Sequence, residues 1–142
     1  MKIIIENKSR EIEKEKEKII EKIAKKIVEE EGYEIDKVKI NLIDDNEIKK
    51  INKKYLNRNY YTDVITFSEI KKRQISGEVY ISIERVKENS KKYNKPFNNE
   101  FYRVIVHSIL HLCNYNDYNK SEKIKIRKKE NYYIKKIDEN EL

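Results

Sequence analysis

The sequence predicts an α+β fold in a single domain spanning residues 1–142: a mixed sheet of about four strands packed with about five helices. Three observations carry this. A chain of 142 residues is long enough to bury one core and too short for two. Every strand-like stretch lies before residue 84, and helical periodicities crowd the remainder. Only 2 Gly and 1 Pro interrupt the chain, which argues against disorder although charged residues reach 42% and mean hydropathy is −0.97.

The elements follow in order. Lys2–Glu6 is a short Ile-rich strand. From Ser9 to Glu31, Ile12, Ile19, Ile20, Ile23, Ala24, Ile27 and Val28 recur at helical spacing, and Gly32 stands where a helix commonly ends. The Glu/Lys alternation over residues 11–18 reads as a solvated helix face, since the apolar stripe lasts barely three heptads. Val38–Ile43 alternates as a half-buried strand. Asp44 with Glu47 three residues on makes a capping-box-like start to a helix carrying Ile48, Ile51 and Tyr55 and ending near Asn57. Val64–Phe67 and Val79–Ile83 read as strands joined by a polar loop, Ser68–Ser76, with Gly77 leading into the second.

A polar helix is predicted from Glu84 to Tyr93, stopped by Pro96, with Asn98 or Asn99 capping the next. That next helix holds Phe101, Val104, Ile105, Val106, Ile109, Leu110, Leu112 and Cys113. It is apolar almost all round, so it is expected to run through the core. Asn114 suits a left-handed helix end. A basic helix from Ser121 to about Ile137, with Ile126, Tyr133 and Ile137 on one face, closes the chain.

No run of 18 apolar residues exists, and Glu6 cuts off the apolar start before it can form a signal-peptide core, so the cytoplasm is the expected location, with no membrane association. Cys113 is the one cysteine, which excludes an intrachain disulfide and fits a buried structural thiol. The net charge of +7 is uneven: residues 1–48 carry 11 basic and 14 acidic side chains, residues 49–95 carry 13 and 5, and residues 96–142 carry 9 and 7. The basic middle third points to a polyanionic partner such as nucleic acid or anionic lipid, against the plainer reading of lysines that only solvate the surface.

The chemistry concentrates in the buried helix. The chain's 2 histidines are His107 and His111, four apart, so they project from one helix face where two imidazoles can reach one metal ion. The competing reading is a pair of satisfied core histidines. Without an ion, however, two buried imidazoles need hydrogen-bond partners in a stretch made mostly of Ile, Leu and Val. A metalloprotease motif would place Glu directly after the first histidine, whereas Ser108 follows here, so a peptidase lacks its base. A third ligand must come from beyond Asn114, where Asp117 is the nearest carboxylate. Cys113 lies on nearly the opposite face from His111 and is a poor ligand.

The run His107-Ser108-Ile109-Leu110-His111-Leu112-Cys113-Asn114-Tyr115-Asn116-Asp117 resembles the signature H-G-x-L-H-L-x-G-Y-D-H of the YbeY family, bacterial endoribonucleases of ribosomal RNA maturation. Ile43-Asp44-Asp45-Asn46-Glu47-Ile48 through Asn52 and Tyr55, then Thr62-Asp63-Val64-Ile65-Thr66-Phe67-Ser68, resembles a second family block. Gly77-Glu78-Val79 resembles its G-D-I. The likeness spans residues 38–118 in the family's order and spacing.

That resemblance implies one zinc ion per chain, held by His107, His111 and, in place of the family's third histidine, Asp117. A carboxylate is a competent zinc ligand, but it makes the site less positive than three imidazoles and raises the pKa of bound water. Ser108 and Asn114 replace two glycines, and Asn114 tolerates the left-handed region. Leu56 stands where the family has an arginine; Arg58, two residues on, is the candidate to hold the scissile phosphate. Thr62 and Asp63 are expected to line the cleft, or equally to form only the turn before a strand. The implied function is a single-strand-directed endoribonuclease maturing the 3′ end of small-subunit ribosomal RNA and serving ribosome quality control. Its implied partners are ribosomal RNA and the small ribosomal subunit; the sequence names no stable protein partner. The alternatives are a catalytically degenerate RNA- or ribosome-binding assembly factor, and a zinc hydrolase acting on another substrate.

Overall fold

The computed structural model describes residues 1–59 and 62–142. Its elements are β1 (Lys2–Asn7), α1 (Lys14–Glu30), β2 (Glu34–Ile43), α2 (Asp45–Leu56), β3 (Val64–Lys71), β4 (Gln74–Ser82), α3 (Ile83–Lys92), α4 (Phe97–Leu112) and α5 (Lys120–Asp138). The strands form one mixed sheet in the order β1-β2-β4-β3. β1 and β2 are parallel through the α1 crossover, β2 and β4 are parallel, and β3 and β4 form an antiparallel hairpin.

Alternation sorts the strand residues onto two faces. Val38, Ile40 and Leu42 of β2 and Ile75, Val79 and Ile81 of β4 join the main core with α1, α4 and α5. On the other face, Ile43 and Ile65 pack against Ile48 of α2, with Ile51, Phe67 and Tyr80 at the margin. Beyond α2 that face is uncovered and holds a hollow of about 990 Å³ bordered by Ile4, Lys39, Phe67 and Glu78. α4 packs against the sheet and against α1, α3 and α5. Its all-round apolar surface follows from that central place, and Phe101, Ile105 and Ile109 are fully buried. Among the described residues no helix is long and apolar enough to cross a membrane.

Several boundaries differ from the expectation. The expected polar loop Ser68–Ser76 is the outer half of the hairpin, which closes in a two-residue turn at Lys72 and Arg73, φ 50° and 67°. A turn of this kind ordinarily selects Asn-Gly or Asp-Gly. Here the Arg73 carbonyl accepts from Glu34 N at 2.9 Å and its Nε donates to the Gly32 carbonyl at 2.8 Å, tying the turn to the end of α1. α1 starts at Lys14 and not at Ser9, although Ile12 is buried ahead of it. Ile83 opens α3 rather than closing β4, because the Ser82 hydroxyl caps that helix. Pro96 serves as the N-cap of α4, so the helix begins before Asn98 and Asn99. The expected helix ends are found: Asp44 caps α2 by accepting from Glu47 N at 2.8 Å, α2 stops at a left-handed Asn57, φ 53°, and Asn114 is left-handed as expected, φ 71°. Cys113 is buried, and burial pushes its thiol up to about 12, as an inert structural thiol requires.

Candidate metal centre

α4 presents His107 and His111 on one face, and the left-handed turn at Asn114 brings the chain back over the helix end. The two Nε2 atoms lie 2.9 Å apart, and Asp117 Oδ2 stands 3.6 Å from that of His107 and 3.4 Å from that of His111. These three donor atoms form a group able to hold a metal ion. Both imidazoles and the carboxylate are half-buried.

What faces the other ring nitrogens fixes the tautomers. His107 Nδ1 is 2.5 Å from Glu130 Oε2, and His111 Nδ1 is 2.8 Å from the Tyr115 carbonyl. The Tyr115 carbonyl can only accept, and so can Glu130 as a carboxylate; each Nδ1 therefore carries the hydrogen and each neutral ring turns an Nε2 lone pair inward. Two lone pairs 2.9 Å apart beside a carboxylate repel unless a cation or a proton sits among them. Burial lowers the His107 pKa, but hydrogen bonding and charge from Glu130, with help from Asp117 and Asp63, outweigh it and leave it raised. His111 is lowered, by burial first and by the neighbouring His107 charge second.

Glu130 on α5 is the functional residue that the sequence reading missed. Its side chain is only 6% exposed, and it meets Arg103 at 3.2 Å and Arg127 at 3.5 Å besides His107. Burial alone would raise its pKa; the His107 hydrogen bond and charge, then the arginines, hold it below the ordinary carboxylate range. The signal was present in the sequence: Ile126, Glu130, Tyr133 and Ile134 share the buried face of α5, so a carboxylate interrupts an apolar stripe.

The donors open into a cleft of about 340 Å³ along β3, the end strand of the sheet. Arg58, Thr62 and Asp63 all line it, with Asn52 and Leu56 of α2 and Tyr118 beside Asp117. The left-handed residue Asn57 turns the chain after α2, and Arg58 N donates to the Asn52 carbonyl at 3.2 Å. Asp63 lies in a bend just before β3, and its carbonyl accepts from Ser82 N at 2.9 Å, extending the β3–β4 pairing by one residue. Ser108 replaces the signature glycine without an orphaned hydroxyl: it is fully buried and donates to the Ile105 carbonyl at 2.7 Å.

Comparison with known proteins agrees with this geometry. The family description Endoribonuclease YbeY matches residues 2–138. The chain belongs to the YbeY family. The Endoribonuclease YbeY of Karelsulcia muelleri (strain GWSS) is 48% identical over 91 residues, 64% of this chain and 64% of that protein. That of Chlorobium phaeobacteroides (strain DSM 266) is 36% identical over 121 residues, 85% of each. Among solved structures, the solution structure of TM1509 from Thermotoga maritima superposes with a TM-score of 0.71 at 25% identity, covering 95% of this chain and 88% of that one. The YbeY fold therefore extends over the sheet and all five helices described above.

Proposed function

We propose that this YbeY-family chain is a metal-dependent endoribonuclease that cuts single-stranded segments of ribosomal RNA, with one zinc ion held by His107, His111 and Asp117. The single observation that carries the reading is the inward-facing pair of Nε2 lone pairs beside the Asp117 carboxylate. Donors on a tetrahedral zinc ion with bonds of about 2.0–2.1 Å lie about 3.3 Å apart. The three separations, 2.9, 3.4 and 3.6 Å, bracket that spacing.

When bound, zinc supplies an activated water and a Lewis acid for a phosphoryl oxygen. The chain supplies the rest. Glu130 and the Tyr115 carbonyl hold the imidazoles in the ligating tautomer, so no reorientation precedes binding. Arg58, exposed at the cleft wall, binds the scissile phosphate and offsets its developing charge; Thr62 and Asp63, which line the same cleft, orient the strand. The lysines of α2, Lys49, Lys50, Lys53 and Lys54, continue from Arg58 and attract the RNA backbone. The relatives' name supports cleavage within RNA and the basic middle third supports a polyanionic substrate; we extend these to 3′-end maturation of small-subunit ribosomal RNA in the cytoplasm, on or beside the small ribosomal subunit.

The test pairs metal content with cleavage. Native chain is expected to carry about one zinc and to cut a single-stranded ribosomal RNA fragment. His111→Ala loses both, Arg58→Ala keeps the metal and loses most of kcat, and a distant Lys26→Ala keeps both. Zinc without cleavage would instead favour the assembly-factor reading.

A further inference from the structure

Tyr118 is the most exposed large hydrophobic side chain in the described chain at 86%, and it lies on the rim of the cleft directly after Asp117. An exposed tyrosine alone means little. The usual local reason for an apolar residue here is absent: Tyr118 precedes Asn119, the N-cap of α5, where a hydrophobic staple would pack it against the residue four past the cap. That residue is Lys123, and Tyr118 stays in water. Among the described residues its ring meets no other ring and no cation. Its backbone, by contrast, is fixed, with Tyr118 N donating to Glu122 Oε1 at 3.2 Å within the α5 capping box. Leu56, 39% exposed at the end of the basic α2, lines the same cleft. A flat apolar ring on an anchored backbone, beside the donor group in a cleft that Arg58 also lines, has the form of a base-stacking platform on a single-strand track.

We propose that Tyr118 stacks on the nucleobase next to the phosphodiester that the cleft receives, and so sets where an unpaired strand seats against His107, His111 and Asp117. The ligand class is an unstacked nucleobase of single-stranded RNA. A paired base would keep its face on its neighbours, so the platform selects unpaired substrate. The inference rests on the endoribonuclease reading.

The test uses the full chain and a short fluorescein-labelled single-stranded RNA, intact or abasic at the position beside the cut. Tyr118→Ala should raise KM, and Kd by anisotropy, roughly tenfold with kcat little changed, while Tyr118→Phe stays near native, because a stacked base requires the ring and not the hydroxyl. On the abasic RNA native chain should fall to the level of Tyr118→Ala, and the variant should lose nothing more. Metal content and thermal midpoint of the variants establish that the site and fold persist. Native-like KM and Kd in Tyr118→Ala, equal losses in Tyr118→Phe, or a full further loss by the variant on abasic RNA would each overturn the proposal while leaving the nuclease reading intact. Native chain that neither binds nor cuts RNA would sink both.

Discussion

Glu130 and His107 face each other across the α4–α5 packing, Oε2 to Nδ1 at 2.5 Å, although 23 residues separate them. The contact decides which imidazole nitrogen points into the cleft. It also makes α5 part of the site: the same carboxylate gathers Arg103 from α4 and Arg127 from its own helix, so helix packing and ligand orientation are set by one buried charge.

Removing that carboxylate should loosen the metal before it loosens the fold. Glu130→Ala frees His107 to rotate and to exchange tautomers, so zinc affinity should fall about 10- to 100-fold. Glu130→Gln keeps an acceptor oxygen and should recover much of the loss. Competition with a chromophoric chelator measures both; unchanged affinity in folded Glu130→Ala would mean that His107 is oriented by packing alone.

Asp117 gives a sharper test of charge. Asp117→Ala leaves two imidazoles and should drop zinc below stoichiometric retention after mild chelation. Asp117→His should retain the ion, since imidazole is an equally good donor. It also removes a negative charge beside the cleft, so the low-pH limb of cleavage should move to lower pH than in native chain. A pH profile of kcat/KM on the two zinc-loaded proteins reads the shift, and coincident profiles would contradict the role of the carboxylate.

The parts of the molecule legible in the sequence were those with local periodicity. α4 announced itself by an apolar surface on every side, and the histidine pair by its four-residue spacing, because one helix carries both patterns. The outer hairpin was hidden. Over residues 68–76 Ile75 alone is buried, with Ile70 half-buried, and the Lys72-Arg73 turn lacks the small residues that left-handed turns favour. Glu130 was hidden for another reason: it is one of two glutamates in a helix rich in Lys, and only its place on the Ile126–Tyr133 face distinguishes it. What makes it functional is a contact from another helix, which no local pattern records.

A second carboxylate, Glu31 just after α1, organises the far side of the site. It accepts from the Tyr115 hydroxyl at 2.7 Å, the Tyr133 hydroxyl at 2.5 Å and Lys129 at 3.2 Å, and Tyr115 is the residue whose carbonyl orients His111. Burial raises the Glu31 pKa, but the Tyr133 and Tyr115 hydroxyls and Lys129 outweigh it, leaving the folded value below the unfolded one. Its stabilising contribution is therefore complete above the unfolded value, about 4.3, and fades as pH falls through the folded value. Glu31→Gln should cost about 1–3 kcal/mol at neutral pH, since the amide turns a donor toward donors. The gap in thermal midpoint between native and variant should narrow as pH falls below the unfolded value of about 4.3. A gap independent of pH would place the stabilisation in packing rather than in charge.

Gly77 tests how closely α4 must approach the sheet. A Cβ there would stand 2.6 Å from the Phe67 carbonyl oxygen, 3.0 Å from Leu112 Cδ2 and 3.3 Å from Ser68 Cα. The first and last contacts are backbone of β3, so a rotamer change cannot relieve them; the strand must shift. Leu112 directly follows His111, and β3 lines the same cleft, so the shift reaches the site. Gly77→Ala should therefore destabilise by about 1–3 kcal/mol, a fall in thermal midpoint of several degrees, and should weaken zinc as well. Lys26→Ala, on the exposed face of α1, should change neither. A thermal midpoint within a degree of native for Gly77→Ala would show that β3 is free to move, and that Asp63 and Thr62 are held less tightly against the histidines than the close approach at Gly77 requires.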